Sequence, residues 1–125
     1  MSSSLSTLLV PQVYRLVDKE EEATDTWTVH LEPVDGALPA FEPAQVSMLG
    51  AFGVGEATIS ISSAVDRTDH HAYTIRRAGP ISGALIDTPI GGLITVRGPF
   101  GTPWPLADVD TRQLAIVAGG LGIAP

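Results

Sequence analysis

Apolar residues recur at every second position in short runs, and each run is stopped within a few residues by glycine or proline. Trp27, Val29 and Leu31 alternate with Thr28, His30 and Glu32; Ile59 and Ile61 alternate with Thr58, Ser60 and Ser62; Tyr73 and Ile75 alternate with Ala72, Thr74 and Arg76. A period of two marks a strand with one buried face and one wet face. With 13 glycines and 10 prolines scattered through 125 residues, turn formers suffice to join many such strands. The expectation is a single β-rich domain with a real core, and at most a remnant of a second.

Several function classes fall away on composition. Seven Lys and Arg against 14 Asp and Glu leave a net charge of -7, the wrong sign for a surface that tracks phosphates, so no nucleic-acid partner is expected. There is no cysteine, which removes disulfides, thiolate-held metals and iron-sulfur clusters from these residues. No apolar run is long enough to span a bilayer, and the Ser-rich start lacks the basic region and apolar core of a signal peptide. A cytoplasmic protein without membrane insertion is expected.

Taken in order, residues 1–7 read as a frayed terminus and 11–17 as a first strand. The charge run at 18–25 reads as a solvated turn into the second strand, whose His30 points to water. Residues 33–43 form a loop by turn chemistry, 44–49 a third strand, and 50–56 either a loose hairpin or a glycine loop that admits a ligand. A fourth strand at 57–62 sets Ile59 and Ile61 inward and lines up the hydroxyls of Thr58, Ser60 and Ser62 outward. Such a row suits a heteroaromatic ring and equally a solvated face. His70 and His71, as strand neighbours, point to opposite faces and do not make a metal site. A sixth strand follows at 93–97, and Pro103-Trp104-Pro105 reads as a packed corner.

Between the fifth and sixth strands lies a corner suited to an anion. The strand running to Arg77 meets Gly79 and Pro80, and Ser82 reads as the N-cap of a short helix at 83–86 that Pro89 stops. A helix N-terminus offers unpaired N–H groups and partial positive charge, to which Arg76 or Arg77 adds a full one. An ordinary strand-turn-helix corner with solvated arginines accounts for the same residues.

Residues 114–118, Leu-Ala-Ile-Val-Ala, break the alternation. A continuous apolar run followed by the glycine-rich 119–125 is how nucleotide-binding parallel sheets begin, although Pro125 stands where a G-x-G-x-x-G motif has its third glycine. The expected division is therefore 1–113 as one domain and 114–125 as the start of a truncated second. Without its sheet, that strand is expected to pair with another copy or fold back on the first domain.

Five segments in one order now stand together: Phe41-Glu-Pro-Ala-Gln45, Gly55-Glu-Ala-Thr-Ile-Ser-Ile-Ser62, Tyr73-Thr-Ile-Arg-Arg-Ala-Gly-Pro-Ile-Ser82, Val96-Arg-Gly-Pro-Phe-Gly101 and Ile116-Val-Ala-Gly-Gly-Leu-Gly-Ile-Ala-Pro125. In these the chain resembles the flavin-binding domain of the ferredoxin-NADP reductase superfamily. Within it, the chain is most similar to the gamma subunits of cytoplasmic NiFe hydrogenases and sulfhydrogenases, and also similar to dihydroorotate dehydrogenase electron-transfer subunits. The resemblance implies an all-β fold, a six-stranded antiparallel Greek-key barrel with one short helix, plus the first strand and loop of a nicotinamide-nucleotide domain. It implies FAD as cofactor. Thr58, Ile59 and Ser60 would meet the isoalloxazine, with Ser60 near the reactive ring nitrogen; Thr74, Ile75 and Arg76 would follow the ribityl and diphosphate; Gly79, Ile81 and Ser82 would hold the diphosphate. Gly119, Gly120, Gly122 and Pro125 would help place the nicotinamide of NAD(P). No side chain need serve as acid, base or nucleophile.

The implied activity is flavin-dependent NAD(P)H oxidoreduction, splitting a hydride into single electrons for a redox partner subunit of a hydrogenase-like complex. These 125 residues alone are expected to be inactive, and the family's iron-sulfur cluster is expected only beyond residue 125. Ala57 and Ile59 stand where many relatives carry an arginine and an aromatic, and Thr58 where a proline is common. The alternative is a flavin-free barrel that serves as a docking or regulatory module of the same assembly.

Overall fold

The structure is a computed structural model and describes residues 9–108 and 113–125. Six strands, β1 (Gln12–Ala23), β2 (Thr26–Pro33), β3 (Val46–Ala51), β4 (Gly55–Ser60), β5 (His71–Arg76) and β6 (Leu93–Phe100), form one sheet in the order β4-β3-β6-β1-β2-β5. All pairings are antiparallel. The two edges meet just past β4, where Ile61 bridges Tyr73 and the Ser62 N–H donates to the Ala72 carbonyl at 2.9 Å. The sheet is thereby closed into a barrel, and β6 returns past β4 and β5 to lie between β3 and β1, as in a Greek key. One helix, α1 (Pro80–Asp87), connects β5 to β6.

Alternation does what it should inside this barrel. Leu16, Val29, Leu31, Leu49, Ile61, Tyr73, Ile75 and Ile94 are fully buried, and α1 adds Leu85 and Ile86 to the same cluster. The Tyr73 hydroxyl donates to Ser47 Oγ at 3.0 Å, so this fully buried phenol keeps a partner.

Several local expectations are corrected. The charge run is strand: β1 continues to Ala23, and the turn is confined to the two residues before Thr26, with Asp25 at φ 59. Alternating carboxylates line the outer pleat, so a solvated strand face reads like a turn. His30 leaves its pleat outward yet is largely covered, its ring held between Glu20 and His70 at 3.1 and 3.0 Å. Residues 50–56 make a tight hairpin, with Gly53 at φ 79 and the Val54 N–H donating to the Ala51 carbonyl at 3.0 Å. The helix begins at Pro80, whose missing N–H is no loss at the first helical position, so Ser82 sits at the third position and is not the N-cap. Trp104 stands 54% exposed beside the barrel, not packed in a corner. Residues 114–118 join no ladder, and Ile116 and Val117 are exposed. An apolar segment without parallel neighbours has nothing to satisfy its backbone as a strand. The expected fray at 1–7 lies outside the described residues.

Candidate functional site

The outer face of β4 and β5 is where the candidate residues gather. Thr58, Ile59, Ser60, Thr74, Ile75 and Arg76 line a groove of about 450 Å³, closed on one side by Leu121, Gly122, Ala124 and Pro125. Barrel closure explains the convergence, since these two strands are the sheet's edges and meet around the Ile61–Tyr73 bridge. Ile59 both lines the groove and packs on the core, whereas Thr58 turns its hydroxyl to Met48 Sδ at 2.9 Å.

Arg76 and Arg77 divide their labour. The Arg77 guanidinium is held bidentately by Asp87 at 2.7 and 3.3 Å, which raises its own pKa and lowers that of the carboxyl. Arg76 is exposed at the end of β5 and makes no side-chain ion pair among the described residues. The cation open to a ligand is therefore Arg76, a choice the sequence left open. Beyond it comes the start of α1. Ser82 Oγ accepts from the Ala78 and Gly79 N–H groups at 2.8 and 3.1 Å, which folds the approach to the helix into a tight corner. The N–H groups of Ile81 and Ser82, in the first turn, have no carbonyl one turn earlier within the helix to bond. Arg76 lines the end of the groove and the helix start follows within a few residues along the chain, two sets of donors that suit a diphosphate.

Of the glycine-loop residues, Gly122 and Pro125 reach the groove, Gly120 lines a neighbouring cavity, and Gly119 is exposed and lines neither. That second cavity, about 650 Å³, shares Thr74 with the groove and adds Thr28, His30, Ser62, Ser63, Arg67 and Glu20. Its floor is a hydroxyl chain: Thr74 Oγ1 lies 2.9 Å from Thr28 Oγ1 and 3.1 Å from Ser62 Oγ. Sequence reasoning saw Ser62 and Thr74 but missed Thr28 and Glu20, because cross-strand neighbours carry no signal along the chain.

The chain is 30% identical to the sulfhydrogenase 1 subunit gamma of Pyrococcus furiosus, over 98% of this chain and 41% of that protein. It is 34% identical to a probable dihydroorotate dehydrogenase B (NAD(+)) electron transfer subunit of Methanopyrus kandleri, over 88% of this chain and 39% of that protein. The chain is a homologue of these subunits. It spans about two fifths of their length. No protein-family model matches the chain. Among solved structures, phthalate dioxygenase reductase superposes with a TM-score of 0.69 at 21% identity, covering 82% of this chain and 32% of that one. The flavohaem-like FAD/NAD-binding domain of a nitric oxide dioxygenase from Vibrio cholerae gives 0.66 at 19% identity, over 73% and 44%. The barrel is thus the fold of ferredoxin reductase-like FAD-binding domains, as the sequence resemblance implied.

Proposed function

We propose that this chain is the flavin-binding domain of an electron-transfer subunit, holding FAD in the β4–β5 groove and exchanging electrons between NAD(P)H and a redox partner subunit. One observation carries the reading: a ring-sized groove lined by Ser60 and Thr74 ends at exposed Arg76 and Ala78, two residues before the first helical residue. Isoalloxazine and diphosphate need those two kinds of surface in that order. The names of the homologues, a hydrogenase gamma subunit and an electron transfer subunit, support a partner of hydrogenase or dehydrogenase type.

FAD, when bound, supplies the step between a two-electron hydride donor and one-electron acceptors. The chain's own residues orient it. Ser60 and Thr74 present hydroxyls to the ring, the β4 and β5 backbones fix its plane, and Arg76 with the N–H groups of Ile81 and Ser82 holds the diphosphate. Residues 1–113 form this domain in our reading, and 114–125 begin the nicotinamide-nucleotide domain. The 125 residues alone are expected to bind flavin and not to turn over, since they offer only the start of that second domain and span about two fifths of the relatives' length. A cytoplasmic location fits a nicotinamide donor, and no helix among the described residues is long and apolar enough to cross a membrane.

The test is the visible spectrum of the purified chain after adding FAD and removing the excess. Retained flavin is expected. Arg76→Ala should weaken retention about tenfold or more, the loss of a charge-assisted hydrogen bond, whereas Arg77→Ala should leave the colour, because Asp87 already holds that guanidinium. A folded chain that stays colourless at high FAD overturns the proposal in favour of a flavin-free docking module, with Ala57 the first residue to restore to arginine.

A further inference from the structure

Transfer of a hydride to a bound ring brings two electrons and one proton; an acceptor that takes electrons one at a time leaves the proton behind, and it has to reach water. Among the described residues, no Asp, Glu or His side chain lines the groove. A carboxylate and two imidazoles lie across the outer face of the barrel, at the end of a row of polar side chains.

Antiparallel register builds that row. Ser60 is one residue before the Ile61–Tyr73 bridge and so stands opposite Thr74. Thr74 pairs with Thr28 on β2, and Thr28 pairs with Glu20 on β1. Four adjacent strands thus contribute Ser60, Thr74, Thr28 and Glu20 along one line. Thr74 and Thr28 are hydrogen bonded at 2.9 Å, and although Thr28 points outward it is only 7% exposed, so this is not an ordinary wetted strand face. Thr28 and Glu20 both line the 650 Å³ cavity, where water has room to join them.

Glu20 leads on to the imidazoles. Its Oε1 lies 3.1 Å from His30 Nε2, His30 Nδ1 lies 3.0 Å from His70 Nε2, and His70 Nδ1 lies 2.9 Å from Asp69. Arg67 Nη1, which can only donate, also lies 3.0 Å from His70 Nε2. The two imidazoles thus join Glu20 to Asp69 through an unbroken chain of polar contacts, with a carboxylate at each end.

We infer that Ser60, Thr74, Thr28 and Glu20, ending on the His30–His70 pair, form a proton path between the flavin groove and water. The inference rests on the flavin reading above. Each hydroxyl can accept a proton on one side while donating on the other, and the imidazole pair meets bulk water through exposed Asp69 and Glu20.

The FAD-loaded chain, reduced anaerobically with dithionite and then oxidised by ferricyanide in weak buffer with a pH-indicator dye, reports electrons and protons separately. Thr28→Val, which keeps the shape and removes the hydroxyl, should leave flavin content unchanged and delay proton release behind flavin oxidation on the order of 100-fold, the low end of what a positioned proton-transfer group contributes. Thr28→Ser should restore it, and Glu20→Gln, on an exposed side chain, should delay it likewise. Proton release that keeps pace with oxidation in both Thr28→Val and Glu20→Gln overturns the path while leaving the flavin reading intact. A chain that takes up no FAD overturns both.

Discussion

His70 and His71 are adjacent, yet the pleat sends them to different physics. His70 faces out to join His30, while His71 is 2% exposed, edge-on to Phe41 with ring centroids 4.8 Å apart. Burial, with His70 as a second and smaller influence, lowers the His71 pKa from 6.5 to about 4. The unfolded chain therefore takes up a proton near pH 6.5 that the folded chain refuses until about pH 4. Its contribution to stability is complete above pH 6.5 and is lost as the pH falls between those values. From pH 7 to pH 5 the loss is about 2 kcal/mol, by linkage at 1.36 kcal/mol per pKa unit. Urea unfolding of His71→Phe at the two pH values should show a pH dependence smaller by that amount; an unchanged dependence would mean the ring is not held neutral by burial. The opposite facing of the two histidines was legible from period two alone. What each would touch was not, because Phe41 and His30 come from segments about thirty and forty residues away.

At the scale of elements, the interiors of strands were readable and their ends were not. Buried faces at Val29 and Leu31, Ile61, and Tyr73 and Ile75 follow directly from alternation, since a one-residue slip would expose all of them. The run at 18–25 misled because its charges are a property of the outer face. Within it, Lys19 is more than a solvated charge: its Nζ donates to the Ile86 and Thr88 carbonyls at 3.0 Å each and lies 5.6 Å from the Trp27 ring centre. A cation thus closes the C-terminal end of α1, where carbonyls are unpaired and the dipole is negative, and it ties the helix to β1. Lys19→Met keeps the apolar stem and removes both bonds. Chemical denaturation should show a loss of about 1–2 kcal/mol, while Glu21→Gln, two residues along the strand, should change stability by no more than about 0.5 kcal/mol. Equal effects would refute the helix-closing role. The helix start was misplaced from sequence because serine serves equally at the N-cap and at the third position, and only the fold shows that Pro80 has already begun the turn.

The barrel as a whole is uneven around its circumference. β1 and β2 pair along most of their length, but among the described residues β4 and β5 and the chain just after β4 are joined by the single Ile61–Tyr73 bridge, the Ser62 N–H to Ala72 carbonyl bond, the Ala72 N–H to Ser63 Oγ bond and the Ser62–Thr74 hydroxyl contact. A closed sheet opens where it is joined least, and the candidate groove lies across that same seam. A ligand touching Thr58 to Ser60 on one side and Thr74 to Arg76 on the other would therefore bind the closed form and favour it by mass action. In native-state hydrogen exchange, the Ser62 amide should open at lower free energy than those of Val29 and Leu31 in the β1–β2 pair. With FAD at about 100 times its dissociation constant, Ser62 protection should rise by up to about 2.7 kcal/mol, and exchange there should slow more than at amides that already open only with the whole barrel. FAD that is bound but leaves Ser62 exchange untouched would place it off the seam, and the groove assignment would be wrong even though the barrel is right.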